Sequence, residues 1–492
     1  MSVSSMLLLA GLVLLLLLLV WRRRGPQGLL LPPGPTGLPL LGNLPQVNKR
    51  APFETFLKWS KQYGPVMTVR LGPQRMVVLS GYKVVREALV DQSDDFAGRA
   101  QVPFIDKLFK GHGLAISNGE RWRQLRRFTL STLRDFGMGR KRMEQWTQEE
   151  SRHLLESLRE TKSTPFDPTF FLSRAVSNVI CALVFGQRFS YEDVNFLRLL
   201  RIIGATIRFA SSPMGQLYNL FPKLMDHLPG PHHNVFRQME QLRIFIIEKI
   251  HQHKETLDPD NPRDYIDCFL IRLNQEKDLP ESEFIYDNMV ATALNLFMAG
   301  TESTSNTIRY GLMLLIKYPD IQEHMQKEID GLLGQQGVPR MEERKSLPFT
   351  DAVIHEVQRC MDFAPLSVPH YATKTISFRD YIIPKDTVII PMLHSVLRDE
   401  DYWEDAWAFN PEHFLDQNGN FKKNPAFLPF SAGKRACVGE SLARMELLLF
   451  LVSIVQHFHL STPGGPSSLD IKPEFSSFVK VPAQYQLVVT PR

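Results

Sequence analysis

Apolar residues recur at helical spacing over most of the chain and alternate only in short patches. Residues 6–21 form an unbroken apolar run that includes Gly11, followed at once by Arg22, Arg23 and Arg24. Counted from Met1, this run reaches about 31 Å as a helix, enough to cross a hydrocarbon core of roughly 30 Å. No Lys or Arg precedes it, so the positive-inside rule puts the N-terminus on the lumenal side and the body in the cytosol. A cleavable signal would carry positive charge ahead of the run and a small-residue site behind it. Neither is present, and residues 1–21 read as an uncleaved anchor. Pro32, Pro33, Pro35, Pro39 and Pro45 make residues 22–50 a basic, stiff, non-helical connector. The body is expected over 51–492.

Within the body, periodicity predicts helices from about residue 119 through Arg127, and near 140–160, 166–186, 191–211, 231–254, 262–276 and 319–334. β-branched residues on both sides of Gly72-Pro73 predict a hairpin over 66–79. A second hairpin is read over 375–391, with Ile382, Ile383, Val388 and Ile389 flanking Pro384-Lys385-Asp386, and more strand follows Phe475. The fold class is mainly α with small β-sheets (α+β). The stretch 217–231 mixes Leu, Phe, Met and Pro. It reads either as a second contact with a membrane surface or as a loop packed on the core.

Two helices depart from the general pattern. The first, 289–319, is apolar as a buried helix should be, except for Ala299-Gly300-Thr301-Glu302-Ser303-Thr304. Small residues leave room against a planar cofactor, and hydroxyls with a carboxylate in a dry site are the parts of a proton relay. The plainer reading is a helix kinked by Gly and by Ser/Thr back-bonding. The second is entered through Phe430-Ser-Ala-Gly433-Lys-Arg435-Ala-Cys437-Val-Gly439-Glu440 and stays apolar to Val455. Gly433 and Gly439 are expected to permit turns that a side chain would obstruct. Cys437 then sits ahead of a helix N-terminus, whose N–H groups and dipole favour a thiolate. Taken alone, Cys437 is one more buried, inert cysteine. Glu356 and Arg359, three apart on an apolar-periodic helix, share a face as an ion pair. Trp122 and Arg126, four apart, present an indole N–H and a guanidinium together.

Composition narrows the function. The 43% hydrophobic content suits a large core, and the net charge of +5 is mild. No basic patch is interleaved with aromatics, so nucleic acid is not an expected partner. Cys181, Cys268, Cys360 and Cys437 are far apart, without zinc or redox spacing, which fits a reducing cytosolic face. No Gly-rich dinucleotide fingerprint follows a strand, so electrons must come from outside. Arg121, Arg123, Arg127, Arg140, Lys141, Arg142, Lys434 and Arg444 read either as a docking face for an acidic redox partner or as a solvated basic face.

The Phe-x-x-Gly-x-Arg-x-Cys-x-Gly pattern at 430–439 resembles the haem-ligating loop of the cytochromes P-450, the haem-thiolate monooxygenases. The 299–304 stretch is similar to that family's long central helix, with Ser303 where the family usually has threonine. Glu356 and Arg359 are similar to its Glu-x-x-Arg motif, although His413 replaces the arginine of its Pro-Glu-Arg-Phe stretch. The resemblance covers almost the whole chain and points to the vertebrate microsomal family-2 enzymes. It implies haem b between the central helix and the cysteine loop, with Cys437 as the iron ligand. Ser303, Thr304 and Glu302 would deliver protons to dioxygen. Arg435, Trp122, Arg126, Arg99 and His370 would hold the propionates, and Phe430, Gly439 and Ala299 would flank the haem. The substrate pocket would take in Ile116, Phe297, Ala299, Leu366, Val368, Phe478 and Val479, with Glu356 and Arg359 structural.

The implied function is an endoplasmic-reticulum monooxygenase acting on small apolar substrates such as xenobiotics, fatty acids or steroids. Electrons would come from NADPH–cytochrome P-450 reductase, with cytochrome b5 as a further donor and membrane lipid as a neighbour. Two alternatives stay open: a haem protein that binds or senses a ligand without turnover, and a haem-thiolate isomerase or peroxygenase.

Overall fold

The computed structural model describes Gly11, Leu12, Leu15 and residues 30–136 and 141–492. The expected anchor lies almost wholly outside them. Among the described residues no helix is long and apolar enough to cross a membrane. Counting helices of seven residues or more, the chain runs α1 (Pro52–Tyr63), β1 (Val66–Leu71), β2 (Gln74–Leu79), β3 (Gly98–Arg99), α2 (Pro103–Phe109), α3 (Gly119–Asp135) and α4 (Lys141–Glu160). There follow α5 (Thr169–Phe185), α6 (Val194–Ser211), α7 (Pro213–Leu220), α8 (Pro231–Glu255), α9 (Tyr265–Glu276), α10 (Tyr286–Lys317), α11 (Pro319–Leu333) and α12 (Pro348–Met361). The last part holds β4 (His370–Tyr371), β5 (Ile376–Phe378), β6 (Tyr381–Ile383), β7 (Val388–Pro391), α13 (Glu440–His457), β8 (Phe458–Ser461), β9 (Pro473–Phe475), β10 (Val481–Pro482) and β11 (Val488–Pro491).

The 32 residues of α10 make a rod of about 48 Å at 1.5 Å per residue, and the main core forms around it. Helices α5, α8, α12 and α13 pack on it, and α4 packs on α5 and α13. Both α5 and α13 are buried along most of their length, which is why their sequences are apolar all round. Local chemistry sets the helix ends. Asp193 accepts from the N–H groups of Asn195 and Phe196 to start α6, and Asp264 accepts from that of Asp267 to start α9. Gly186, at φ 65°, ends α5.

A five-stranded sheet in the order β1-β2-β7-β4-β3 flanks the helices. The β1–β2 hairpin turns at Gly72-Pro73 as the sequence implies, with Leu71 paired to Gln74. The second expected hairpin is corrected. β6 pairs with β5 across Arg379-Asp380, while β7 leaves it to lie parallel to β2 and antiparallel to β4. Ile389, Ile390 and Pro391 are buried, and an apolar run without alternation belongs to a central strand rather than to one arm of a surface ribbon.

The connector is corrected too. Thr68 N–H donates to Pro33 O (2.7 Å), Asn43 N–H to Arg70 O (2.6 Å) and Gly72 N–H to Leu41 O (3.0 Å), so residues 33–43 lie along β1 as part of the body. A Cβ on Gly34 would meet Thr68 O at 1.9 Å, so this approach requires glycine.

Candidate active site

Two interior elements carry free surface where the fold is otherwise closed. Cys437 has exposed surface although protein surrounds it, so its sulfur faces a space inside the molecule. On α10, Ala299 is exposed and Ser303 half-buried, one turn apart, while Phe297, Met298, Thr301 and Thr304 are buried. The loop between α2 and α3 bridges the two elements. Asn295, one turn before Ala299, accepts from the N–H groups of Leu114 (3.0 Å) and Ala115 (3.1 Å) at Oδ1. Further along this loop, Ser117 O accepts from Arg435 of the cysteine loop (2.9 Å). Gly113 permits the approach, since a Cβ there would meet Asn295 Oδ1 at 2.6 Å and its φ is +82°.

The cysteine loop is held from several sides. Cys437 N–H donates to Phe430 O (3.0 Å), and the Arg444 guanidinium lies 5.2 Å from the Phe430 ring centroid. Gly433, at φ +72°, packs where a Cβ would meet Leu89 O at 1.7 Å. Gly439 has an ordinary φ of −92°, so the expectation of a conformational role is corrected. Its missing side chain instead leaves the sulfur's flank open, the nearest atom to a Cβ there being Cys437 Sγ at 3.9 Å. Burial pushes the Cys437 thiol up, while the N–H groups of Gly439 and Glu440 and the Arg126 charge pull the other way. The helix terminus therefore favours the thiolate as expected, but burial outweighs it. A bound cation would complete the stabilisation, because a thiol coordinating a metal is deprotonated outright.

Three guanidiniums crowd beside this loop. Arg99 donates to Val368 O (2.6 Å), Arg126 to Ala436 O (2.7 Å), and Arg435 to Ala97 O (2.8 Å) and Asn118 Oδ1 (3.0 Å). The Arg435 guanidinium stacks 3.7 Å from the Trp122 ring centroid. None of the three has a carboxylate partner among the described residues. Burial, then repulsion from Arg99 and Arg126, pushes Arg435 down to about 8, and burial with the Arg126 charge takes Arg99 to about 9. His370 Nδ1 donates to Phe96 O (2.6 Å), while its Nε2, like Arg99 Nε, is buried without a partner. Stranded cations are unfavourable unless an anion joins them, and such an anion would also let His370 take a proton at Nε2 and donate. A cofactor with acidic side chains fits this donor set.

On α10, Glu302 Oε2 accepts from Asn306 Nδ2 (2.9 Å), and burial pushes its carboxyl above the usual range. Ser303 Oγ donates to Ala299 O (2.7 Å), and Thr301, Ser305 and Thr307 back-bond in the same way. Thr304 is corrected: it is buried and its hydroxyl lies against the Glu446 carboxyl of α13, away from the Ala299–Ser303 face. Phe297 is corrected as well. It is fully buried and edge-on to Phe185 of α5 at 5.6 Å, on the opposite side of the helix from Ala299. Sequence reasoning missed Asn295, whose signal was a lone amide one turn before Ala299.

The other pocket candidates come from separate walls. Ile116 and Val479 are buried, Leu366 leans on the α1–sheet cluster, and Phe478 on the cluster of α2, α6 and α7. The Val368 carbonyl is the Arg99 acceptor.

Glu356 and Arg359 form a closed pair, 2.7 Å apart and fully buried. Arg359 also donates to the carbonyls of Leu397, Ala406 and Ala408. His413 stands at the third position: Nδ1 lies 3.2 Å from Glu356 Oε1 and Nε2 faces Glu404 O, so both ring nitrogens meet acceptors. The basic cluster is partly neutralised. Arg121 pairs with Glu283, Arg123 with Glu120, Lys434 with Asp94 and Arg444 with Glu440. Arg142 stacks on Trp146, and Arg140 lies outside the described residues.

The family described as Cytochrome P450 matches residues 32–489. The chain belongs to the cytochrome P450 family. Cytochrome P450 2G1 of Oryctolagus cuniculus is 49% identical over 472 residues, covering 96% of this chain and 95% of that one. Cytochrome P450 2A13 of Homo sapiens is 48% identical over 485 residues, covering 99% and 98%. Cytochrome P450 2A5 of Mus musculus is 48% identical over 490 residues, covering 99% of each. As a cytochrome P450 the protein is a haem-thiolate monooxygenase that draws electrons from a redox partner. When bound, haem supplies dioxygen activation, and the thiolate ligand promotes O–O cleavage.

Proposed function

We propose that Cys437 is the axial ligand and that Arg99, Arg126, Arg435, Trp122 and His370 hold the haem's acidic side chains. The single observation that carries this reading is the trio of guanidiniums without counter-charge, built onto the same loop as Cys437. Ser303 positions water at the Ala299 face, and the Glu302 carboxyl, pushed above its usual range by burial, supplies protons to it. Substrates are small and apolar, enclosed by Ile116, Ala299, Leu366, Val368, Phe478 and Val479.

The electron donor we assign is NADPH–cytochrome P-450 reductase, with cytochrome b5 as an accessory. Arg127 and Arg134 on α3, without a salt-bridge partner among the described residues, are the basic docking residues. The endoplasmic-reticulum membrane is the proposed location, with residues 1–21 as a single anchor. Exposed Leu38, Leu40, Leu41, Leu217, Leu224 and Leu228 offer a second lipid contact. Phe221 reaches toward Gly72, whose N–H bonds Leu41 O, and so links the two halves of this patch.

The test is the carbon monoxide difference spectrum of the reduced, solubilised protein. The wild type should give the strongly red-shifted Soret band of thiolate ligation, and Cys437→Ala should lose it. An unchanged band in that variant would overturn the assignment. Ser303→Ala should lower product formed per NADPH by about 100-fold, the lower end for losing a positioned proton-transfer group. Absence of reductase-dependent NADPH use coupled to product would favour the non-turnover or isomerase readings.

A further inference from the structure

A second buried ion cluster lies where α12 ends. Asp362, at φ 45°, turns the chain into the loop that carries Leu366 and Val368. Its carboxylate accepts from Lys480 Nζ (2.9 Å) and His394 Nδ1 (2.6 Å), and all three side chains are more than nine-tenths buried. Burial pushes the His394 imidazole down to about 4 against the pull of Asp362, so at neutral pH it donates without a charge. Lys480 is the counter-charge.

Lys480 directly follows Val479 in the pocket turn. Its N–H donates to Phe363 O (2.8 Å), and its ammonium lies 5.0 Å from the Phe53 ring centroid. His394 N–H donates to Pro365 O (3.0 Å), and its ring packs on Phe53 at 4.3 Å. The far side of the turn is tied to α6, through Val479 N–H to Ser211 Oγ (3.2 Å) and Ser477 Oγ to Ser211 O. One buried pair, 118 residues apart in sequence, thus joins two pocket walls. Apolar residues of equal volume would often serve stability as well as a buried ion pair, whereas either charge alone is strongly disfavoured there. The pair therefore specifies an arrangement more than it stabilises one.

We propose that Lys480, acting through Asp362, is a positioning residue for substrate selection, holding the 477–479 turn and the 363–368 loop in one register. The inference rests on the monooxygenase reading of the site. It predicts that pocket width depends on the pair rather than on either wall alone.

The experiment titrates the holoprotein with 1-alkylimidazoles of increasing chain length. Their ring nitrogen binds the haem iron, and their tails report the space around it. Unsubstituted imidazole should bind wild type, Lys480→Arg, Lys480→Met and the double variant Asp362→Asn/Lys480→Met alike. Lys480→Arg, which keeps the cation, should keep the wild-type dependence on tail length. The double variant, which removes both charges and strands neither, should shift the ratio of long- to short-tail affinities by about tenfold, the effect of one misfitted methylene. Lys480→Met alone should also lose holoprotein. A double variant with the wild-type tail dependence overturns the proposal. So does a double variant no more stable than Lys480→Met, because the two charges would then not answer each other. No spectral response in the wild type would overturn the haem-enzyme reading, and this inference with it.

Discussion

The Glu356–Arg359 network and the Arg99–Arg126–Arg435 trio are both buried clusters of arginine, and they differ in what surrounds the charge. Burial works against the Arg359 guanidinium, but Glu356 outweighs it and three backbone carbonyls take the remaining hydrogens. The trio has carbonyls and an asparagine for partners and no carboxylate among the described residues, and burial, then mutual repulsion, takes Arg435 to about 8. The first arrangement is complete in the folded chain and acts as scaffold. The second becomes favourable only when an anion enters. Burial of charge alone does not mark a functional site; the missing counter-charge does.

Glu356→Gln should have the largest effect on this contrast. It leaves Arg359 buried without its counter-charge, which should cost about 3–5 kcal/mol in thermal unfolding of the holoprotein. A wild-type midpoint would break the contrast. Arg435→Met should instead change fold stability little and speed haem loss by about 10–100-fold, the loss of one hydrogen bond to a charged group. Haem transfer to an acceptor protein measures it, and a stability loss equal to that of Glu356→Gln would make the two clusters alike.

Only the first cluster should respond to pH in the acid range. Despite burial, Arg359 and His413 hold the Glu356 carboxyl below its usual range. Its contribution is present above the unfolded carboxyl value of about 4 and lost as pH falls through the lower folded value. Acid titration should show His413→Ala unfolding at higher pH, by less than about one unit. Arg435 keeps its proton, and burial with the neighbouring Arg99 and Arg126 charges disfavours that cation in the apoprotein. Haem should therefore raise the unfolding midpoint more in wild type than in Arg435→Met, measured on apo- and holoprotein at one neutral pH. The smallest effect is expected for His413→Arg, less than about 1 kcal/mol, with the acid sensitivity of the Glu356 carboxyl retained.

The long helix, the cysteine loop and the 66–79 hairpin were legible because each is written locally, in period, glycine placement or a two-residue turn. The partner of β7 was not, since Val388-Ile-Ile looks the same beside β6 as between β2 and β4, and only tertiary burial chooses. Motif resemblance marked the 299–304 stretch without saying which way each hydroxyl points; helix phase sends Ser303 inward and Thr304 to Glu446. Asp362, His394 and Lys480 stand at three remote positions, and no spacing rule brings them together.

The back-bonded hydroxyls give α10 a one-way character. With the hydrogens of Thr301, Ser303, Ser305 and Thr307 each turned to a carbonyl four residues earlier, only lone pairs are left to face outward. In that state Ser303 can receive a hydrogen bond and cannot send one. Under the proposed relay a proton would leave through it only after its own hydrogen swings off Ala299 O, so the helix would work as a latch that each transfer must lift and each rest restores.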